Sequence, residues 1–262
     1  MLKVRIIPTL LFKDVGLVKG RQFKSDRRVG SVLPSIKVYN MREVDEMILL
    51  DVVATQQNRR PDFEAISEYT EECFVPLTVG GGIQSIEDIR GLLRAGADKV
   101  SINTAALKNP DLINQAAAYF GSQCIVISID TRRETDGSYY CFSNSGTIKT
   151  ERTVADWARE AELRGAGEIL ITSIDRDGMM VGFDIELIEL VSRAVSIPVI
   201  ASGGAGSLND FYHALTAGKA SAVSAGSLFH FTQITPKEVR DHLQKKGIPV
   251  RNFNISKVNP NE

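Results

Sequence analysis

Asp130 closes the apolar run Cys-Ile-Val-Ile-Ser-Ile-Asp, and a carboxylate at the end of such a strand is placed to give or take a proton in whatever cavity the strand opens into. The alternative role is a cap on a neighbouring backbone group. Two glycine turns offer a different chemistry. Gly80-Gly81-Gly82 and Gly203-Gly204-Ala205-Gly206 each follow an apolar run and precede a helical pattern. Backbone N–H groups at such turns can approach an anion, and the dipole of the following helix favours its charge. Tight packing alone also calls for glycine, but two copies of one arrangement favour a pair of anion sites. A further run after each turn ends in small or polar residues: Ser101, Asn103 and Thr104 in one case, Ala225, Gly226 and Ser227 in the other. Gly82, Asn103, Thr104, Gly204, Gly226 and Ser227 are therefore the candidate phosphate ligands. Asp177 and Gly178, in Asp-Arg-Asp-Gly, join them from just past another strand, where a solvated turn is the alternative. Lys19 in Val-Lys-Gly and Ser145 in Ser-Asn-Ser-Gly are secondary polar candidates near a substrate. A last group is charged and lies at strand beginnings: Arg5, Glu46, Lys99 and Glu168. Side chains at that depth can ring the floor of a barrel, with ion pairing offsetting part of their desolvation.

The elements that must position these residues come in two similar halves. Gly81-Gly82, Ser85, Asp88 and Ala95-Gly96 are echoed by Gly203-Gly204, Ser207, Asp210 and Ala217-Gly218 at a constant offset of 122 residues (81 to 203, 96 to 218), which also carries Glu46 onto Glu168. The opening strands align as Arg5 to Leu11 with Cys124 to Asp130, so one half ends in a carboxylate and the other in a leucine. Eight strands are expected near 5–10, 47–52, 76–79, 99–102, 125–129, 168–172, 198–201 and 222–225, and their continuous Ile, Leu and Val runs suit parallel strands covered on their faces. Helical spacing separates them, as in Ser85 to Ala95 with Ser85 as N-cap and in Val154 to Arg164. The pattern predicts one (β/α)8 barrel over residues 1–262, built from half-barrels at about 1–120 and 121–250 with a frayed polar tail at 251–262. A doubly wound open sheet is the alternative. The basic stretch Asp14 to Pro34 is too long for a routine turn and reads as a mobile loop over the active face.

Composition excludes several classes. With 31 basic and 32 acidic residues interspersed, the formal net charge of −1 argues against a nucleic-acid-coating or membrane-surface protein, so any phosphate site is local. No run approaches the roughly 18 apolar residues of a membrane span, and the first residues lack a secretory pattern, which makes a cytoplasmic location the expectation. Cys73, Cys124 and Cys141 have no metal-ligand spacing and read as reduced, mostly buried thiols, while His213, His230 and His242 read as structural or surface residues. Metal, flavin, redox and nucleotide-activating chemistry have no motif to support them.

Arg-Ile-Ile-Pro, Val-Lys-Gly, Thr-Val-Gly-Gly-Gly-Ile, Asp-Lys-Val-Ser-Ile-Asn-Thr-Ala-Ala, Gly-Ala-Gly-Glu-Ile-Leu-Ile-Thr-Ser-Ile-Asp-Arg-Asp-Gly and Ile-Ala-Ser-Gly-Gly-Ala-Gly run nearly end to end along the chain. Through them it closely resembles the cyclase (HisF-like) subunits of imidazole glycerol phosphate synthase. The resemblance implies a duplicated barrel, two phosphate sites, and a glutaminase (HisH-like) partner docked at the N-terminal face. It further implies that Arg5, Glu46, Lys99 and Glu168 form a gate through which ammonia enters the barrel. In that family two aspartates, one per half, act as general acid and base. Asp130 matches the second, and Leu11 stands in place of the first. Asp14 belongs to the family pattern after Lys13 and is no substitute; Val53 and the loop after Gly20 also depart from the pattern. Loss of one acid–base group removes about 10²–10⁴ in rate. This combination resembles divergent paralogues that work with a second glutaminase and a sugar amidotransferase to make acetamidino sugars of bacterial surface polysaccharide. The expectation is an ammonia-conducting subunit with weak or lost cyclase activity. A working cyclase and lyase of histidine biosynthesis is the alternative, and an isomerase of a related phosphoribosyl compound, which needs no ammonia gate, is a third reading.

Overall fold

The computed structural model describes residues 3–14 and 16–253. Eight parallel strands alternate with helices and close on themselves: β1 (Arg5–Lys13), β4 (Met47–Asp51), β5 (Leu77–Gly80), β6 (Lys99–Ile102), β7 (Ile125–Arg133), β10 (Glu168–Ser173), β11 (Val199–Ser202) and β12 (Ala222–Ala225). They neighbour one another in that order, and β12 pairs back onto β1. The result is a (β/α)8 barrel. Two antiparallel hairpins extend it, β2 (Gly16–Arg21) with β3 (Lys24–Ser31) on β1, and β8 (Tyr139–Ser143) with β9 (Ile148–Thr153) on β7. Each half therefore begins with a long strand and a hairpin. The helices are α1 (Val32–Met41), α2 (Phe63–Glu71), α3 (Ile86–Arg94), α4 (Thr104–Lys108), α5 (Asp111–Phe120), α6 (Val154–Leu163), α7 (Ile185–Ala194), α8 (Leu208–Thr216), α9 (Ser227–Phe231) and α10 (Pro236–Lys245).

The sequence repeat reappears in local chemistry. At the start of α3, Asp88 accepts from the N–H groups of Gln84 and Ser85, at 2.9 and 3.1 Å. At the start of α8, Asp210 accepts from those of Gly206 and Ser207, at 2.9 and 2.8 Å. These bonds satisfy N–H groups that a helix start leaves without partners. Strand alternation then sorts the core. Ile6, Leu10, Leu49, Val79 and Ile127 pack outward against the helices, while Ile7, Ile48, Val126, Leu170, Ile200 and Ala222 form a separate buried layer inside the barrel. Burying each larger aliphatic side chain contributes about 1.5–3 kcal/mol.

The stretch from Asp14 to Pro34 differs from the expected loop. It folds mostly as the β2–β3 hairpin, and Pro34 lies in the first turn of α1, where a missing N–H costs little. Register shifts at Leu17/Val18 and between Lys19 and Arg21 break the two-residue alternation that would have marked these strands. The sequence pattern does not predict the β8–β9 strands either. Pairing with the hairpins extends β1 and β7 beyond their expected ends, and the third and seventh barrel strands begin one residue later than expected. Of the tail, residues 251–253 carry no regular structure and 254–262 lie outside the described residues. Among the described residues no helix is long and apolar enough to cross a membrane.

Candidate functional site

At the C-terminal ends of the strands a cavity of about 430 Å³ is lined by residues from every barrel strand or the turn beyond it. Asp130 sits in it on β7, donated to by Asn103 Nδ2 at 2.7 Å and by Ser128 Oγ at 3.5 Å. Removal from water raises its pKa to about 7, and the nearby charge of Asp177 adds to the rise although the two hydrogen bonds oppose it. A carboxyl group so tuned exchanges protons near neutral pH. His230 is held neutral instead: burial, then Lys19 and Arg42, pull its pKa down to about 4.

Leu11 lines the same cavity from β1. Its register fixes its relation to Asp130. Leu11 pairs with Leu50 and Asp130 with Thr172, and the 122-residue repeat carries position 50 onto position 172. Leu11 and Asp130 are therefore equivalent positions in the two halves, one apolar and one acidic. Leu50 on the neighbouring strand adds an apolar side chain beside Leu11, whereas Asp130 has Thr172 as its strand partner and Ser128 within hydrogen-bond reach; Thr9, the counterpart of Ser128, also lines the cavity.

All eight candidate phosphate ligands face this one cavity, in two groups that follow the repeat: Gly82, Asn103 and Thr104, then Gly204, Gly226 and Ser227, with Asp177 and Gly178 beside the second. Gly82 has φ +74°, and a Cβ there would lie 2.6 Å from the Arg59 carbonyl oxygen; Gly204 has φ +111° and would place one 2.2 Å from that of Gly182. Side chains are excluded at both turns by backbone conformation and by space. The buried Ser101 Oγ, Asn103 Oδ1 and Ser227 Oγ have no hydrogen-bond partner among the described residues, and all three residues line the cavity. Polar atoms in that state fit a polar ligand. Asn103 is more than a candidate ligand, since its amide links Asp130 to the Phe142 carbonyl, 3.2 Å away. Thr104 Oγ1 accepts from the Asn144 N–H at 2.8 Å.

Lys19 reaches the cavity from the β2–β3 hairpin and pairs with Asp177 at 3.2 Å, with both side chains largely buried. The contact ties the hairpin of the first half to the β10–α7 loop of the second. Ser145, in the β8–β9 turn, donates to the Val52 carbonyl at 2.9 Å and makes the reciprocal tie.

Sequence reasoning overlooked Asp51, Thr9 and Ser224. Asp51 is buried at the end of Met-Ile-Leu-Leu-Asp, accepts from the Val53 and Ala54 N–H groups at 3.1 and 3.0 Å, and pairs with Arg59 at 2.7 Å. A carboxylate closing a strand was the signal available for it, as for Asp130. Thr9 on β1 and Ser224 on the adjacent β12 bond to each other through their hydroxyl groups.

The four charged residues meet at the opposite end. Arg5 Nη1 lies 2.9 Å from Glu46 and 2.8 Å from Glu168, and Lys99 Nζ lies 3.1 and 3.2 Å from the same two carboxylates. Burial alone would lower the Arg5 pKa, but the two carboxylates outweigh it and leave the pKa above its ordinary value. Above this closed ring comes the apolar layer of Ile7, Ile48, Val126, Leu170 and Ile200, then hydroxyl groups, then the cavity. Met41, Phe74, Tyr119 and Leu163, at the ends of α1, α5 and α6 and in the turn before β5, are exposed large apolar side chains on this floor side.

Residues 5–235 match the family model described as "Histidine biosynthesis protein". The chain belongs to the histidine biosynthesis protein family. Among curated relatives, "Imidazole glycerol phosphate synthase subunit HisF" of Natranaerobius thermophilus is 47% identical over 96% of this chain and 100% of its own length. HisF of Dictyoglomus thermophilum is 49% identical over 96% and 99%, and HisF of a Nostoc species 45% over 96% and 98%. The similarity to HisF thus spans both hairpins, the mouth and the floor, and the position of Leu11 lies inside the matched region.

Proposed function

We propose that this histidine biosynthesis family member is the barrel subunit of a glutamine-dependent complex of the imidazole glycerol phosphate synthase type. A glutaminase docks on the floor side, where Met41, Phe74, Tyr119 and Leu163 offer apolar contact, and ammonia passes the Arg5, Glu46, Lys99 and Glu168 ring into the barrel. The apolar layer excludes water, which keeps ammonia from being protonated on the way. A two-phosphate substrate spans the mouth between the Gly82, Asn103, Thr104 group and the Gly204, Gly226, Ser227 group, with Asp177, Gly178, Lys19 and Ser145 beside it. Asp130 is the one acid–base group of the repeat-related pair, so ring closure is slowed by about 10²–10⁴. The observation that carries this reading is Leu11 at the position equivalent to Asp130, above a complete floor ring.

The names of the relatives support histidine-biosynthetic synthase chemistry as the use of this ammonia. The earlier expectation, delivery to a sugar amidotransferase that makes acetamidino sugars, has no support from those names; Leu11 is the observation that retains it as the second reading. Complementation separates the two. A histidine-requiring strain lacking its cyclase should be rescued weakly or not at all by this chain with its glutaminase, and well by the Leu11→Asp variant. Full rescue by the unaltered chain overturns the proposed impairment.

A further inference from the structure

The two hairpins at the mouth carry their charge differently. In the second half, residues 131–153 hold four basic side chains and three acidic ones. All four cations are engaged: Arg133 pairs with Glu186 at 3.0 Å, Lys149 with Glu134 at 2.9 Å and Arg152 with Glu160, while Arg132 lies over the Phe142 ring. In the first half, residues 13–28 hold six basic side chains and two acidic ones, which leaves the rest of a chain of net charge −1 at −5. Lys13, Arg21, Lys24, Arg27 and Arg28 are exposed, and of the six only Lys19 joins a salt bridge among the described residues. Hairpin formation does not require such an excess, since the other hairpin folds without it.

Backbone contacts hold these cations at the mouth. The Gln22 N–H donates to the Asp177 carbonyl at 2.8 Å and Gln22 Nε2 to that of Asp175 at 3.1 Å. The Gly20 carbonyl oxygen packs so closely on Gly178 that a Cβ there would lie 2.0 Å from it. On the other side Arg27 lies over the Phe231 ring, 4.5 Å from its centroid, on the helix that Ser227 begins. Lys13 and Lys19 line the cavity, but Arg21, Lys24, Arg27 and Arg28 do not. Those four flank the Gly178 and Ser227 side of the mouth without lining it.

We propose that the basic hairpin is an electrostatic collar that draws a doubly phosphorylated substrate into the mouth, raising its rate of capture without touching it once bound. This rests on the two-phosphate reading of the site. Two phosphate monoesters bring a charge of about −3 to −4 at pH 7. At about 0.1 M salt a charge is felt over about 10 Å, which suffices for cations that do not line the cavity. A rim of one sign over a low-dielectric mouth raises association rates by about 10–10³. The rest of the chain, at −5, repels the same substrate, so the local excess also decides which face it approaches.

Stopped-flow binding of the synthase's nucleotide substrate to the full chain, without ammonium so that nothing turns over, gives both rate constants. Raising salt from about 0.02 to about 0.5 M should slow wild-type association at least about tenfold. Arg21→Glu with Lys24→Glu should slow association at low salt at least about fivefold and flatten its salt dependence, with dissociation within about twofold of wild type and the melting temperature unchanged. Arg21→Gln with Lys24→Gln should give a smaller slowing in the same direction. Lys245→Glu with Lys246→Glu, an equal change of charge at the floor end of α10, should leave association unchanged. Faster dissociation with unchanged association would make the hairpin a contact surface and overturn the collar. Equal slowing by the floor variant would assign the effect to net charge and overturn it too. Either result leaves the two-phosphate reading standing, whereas a folded wild-type chain that binds no substrate overturns both.

Discussion

Replacing Leu11 with Asp restores a carboxylate at the position equivalent to Asp130, inside a cavity of about 430 Å³ that both residues line. A second positioned acid–base group is worth about 10²–10⁴ in rate. At about 1.36 kcal/mol per tenfold, that is about 3–5 kcal/mol of barrier. Leu11 is only half-buried, so the lost burial costs about 1 kcal/mol, a fall of about 2–4 °C in melting temperature. The floor stays untouched, because Arg5 lies six residues away along β1, about 20 Å at roughly 3.3 Å per residue. The assay is ammonium-dependent turnover of the synthase's nucleotide substrate by purified protein, with Leu11→Asn as control. Leu11→Asp should gain at least about a hundredfold and Leu11→Asn nothing. A gain below twofold, or an equal gain by Leu11→Asn, would refute the assignment of Leu11 as the missing half of an acid–base pair.

The other predictions use the same structure. Asp130 has a folded-state pKa raised to about 7, so its environment favours the protonated form, and the cost of ionising it grows as pH rises from about 4 through 7. Asp130→Asn should therefore melt at the same temperature as the wild type at pH 4 and higher at pH 8, with residual turnover abolished; a pH-independent difference in melting would contradict the buried-carboxyl account. Arg5→Ala leaves two carboxylates facing Lys99 alone and should destabilise the barrel by about 1–3 kcal/mol in denaturant titration, less than for a fully buried pair because the side chains of the ring keep some exposure to solvent. The same variant should uncouple the complex, lowering glutamine-dependent turnover more than ammonium-dependent turnover. Lys19→Met strands Asp177 without its partner and should raise hydrogen exchange and protease cleavage across residues 16–31, with protection of the barrel strands unchanged.

Much of the site was legible because strand ends and glycine turns leave strong marks. Asp130 is visible as a carboxylate closing an apolar run, and the repeat from Gly81-Gly82 to Gly203-Gly204 by itself implies two turns on one face. The floor residues were placed by position alone, each at or beside a strand beginning, but that Arg5 and Lys99 each pair with both glutamates is a property of barrel closure, which local sequence does not encode. Both hairpins escaped for a physical reason. Register shifts between Leu17 and Arg21, and again between Tyr140 and Phe142, interrupt the alternation that reveals a strand. The link from Asn103 to Asp130 was hidden too, because β6 and β7 meet only through long-range pairing, so one residue read as an anion ligand turned out also to hold the acid. Asp51 had the same strand-end signal as Asp130 and was passed over.

The proposed function requires an ammonia inlet at the Arg5, Glu46, Lys99 and Glu168 ring, a two-phosphate mouth, and a single acid–base group where two are needed. The most direct measurement is turnover of the synthase's nucleotide substrate by the folded wild-type chain with saturating ammonium at mildly alkaline pH, which bypasses the glutaminase. The account predicts turnover about 10²–10⁴ below the typical enzyme value of about 10 s⁻¹, with substrate still bound. Turnover near 10 s⁻¹ would contradict it and make Asp130 sufficient on its own.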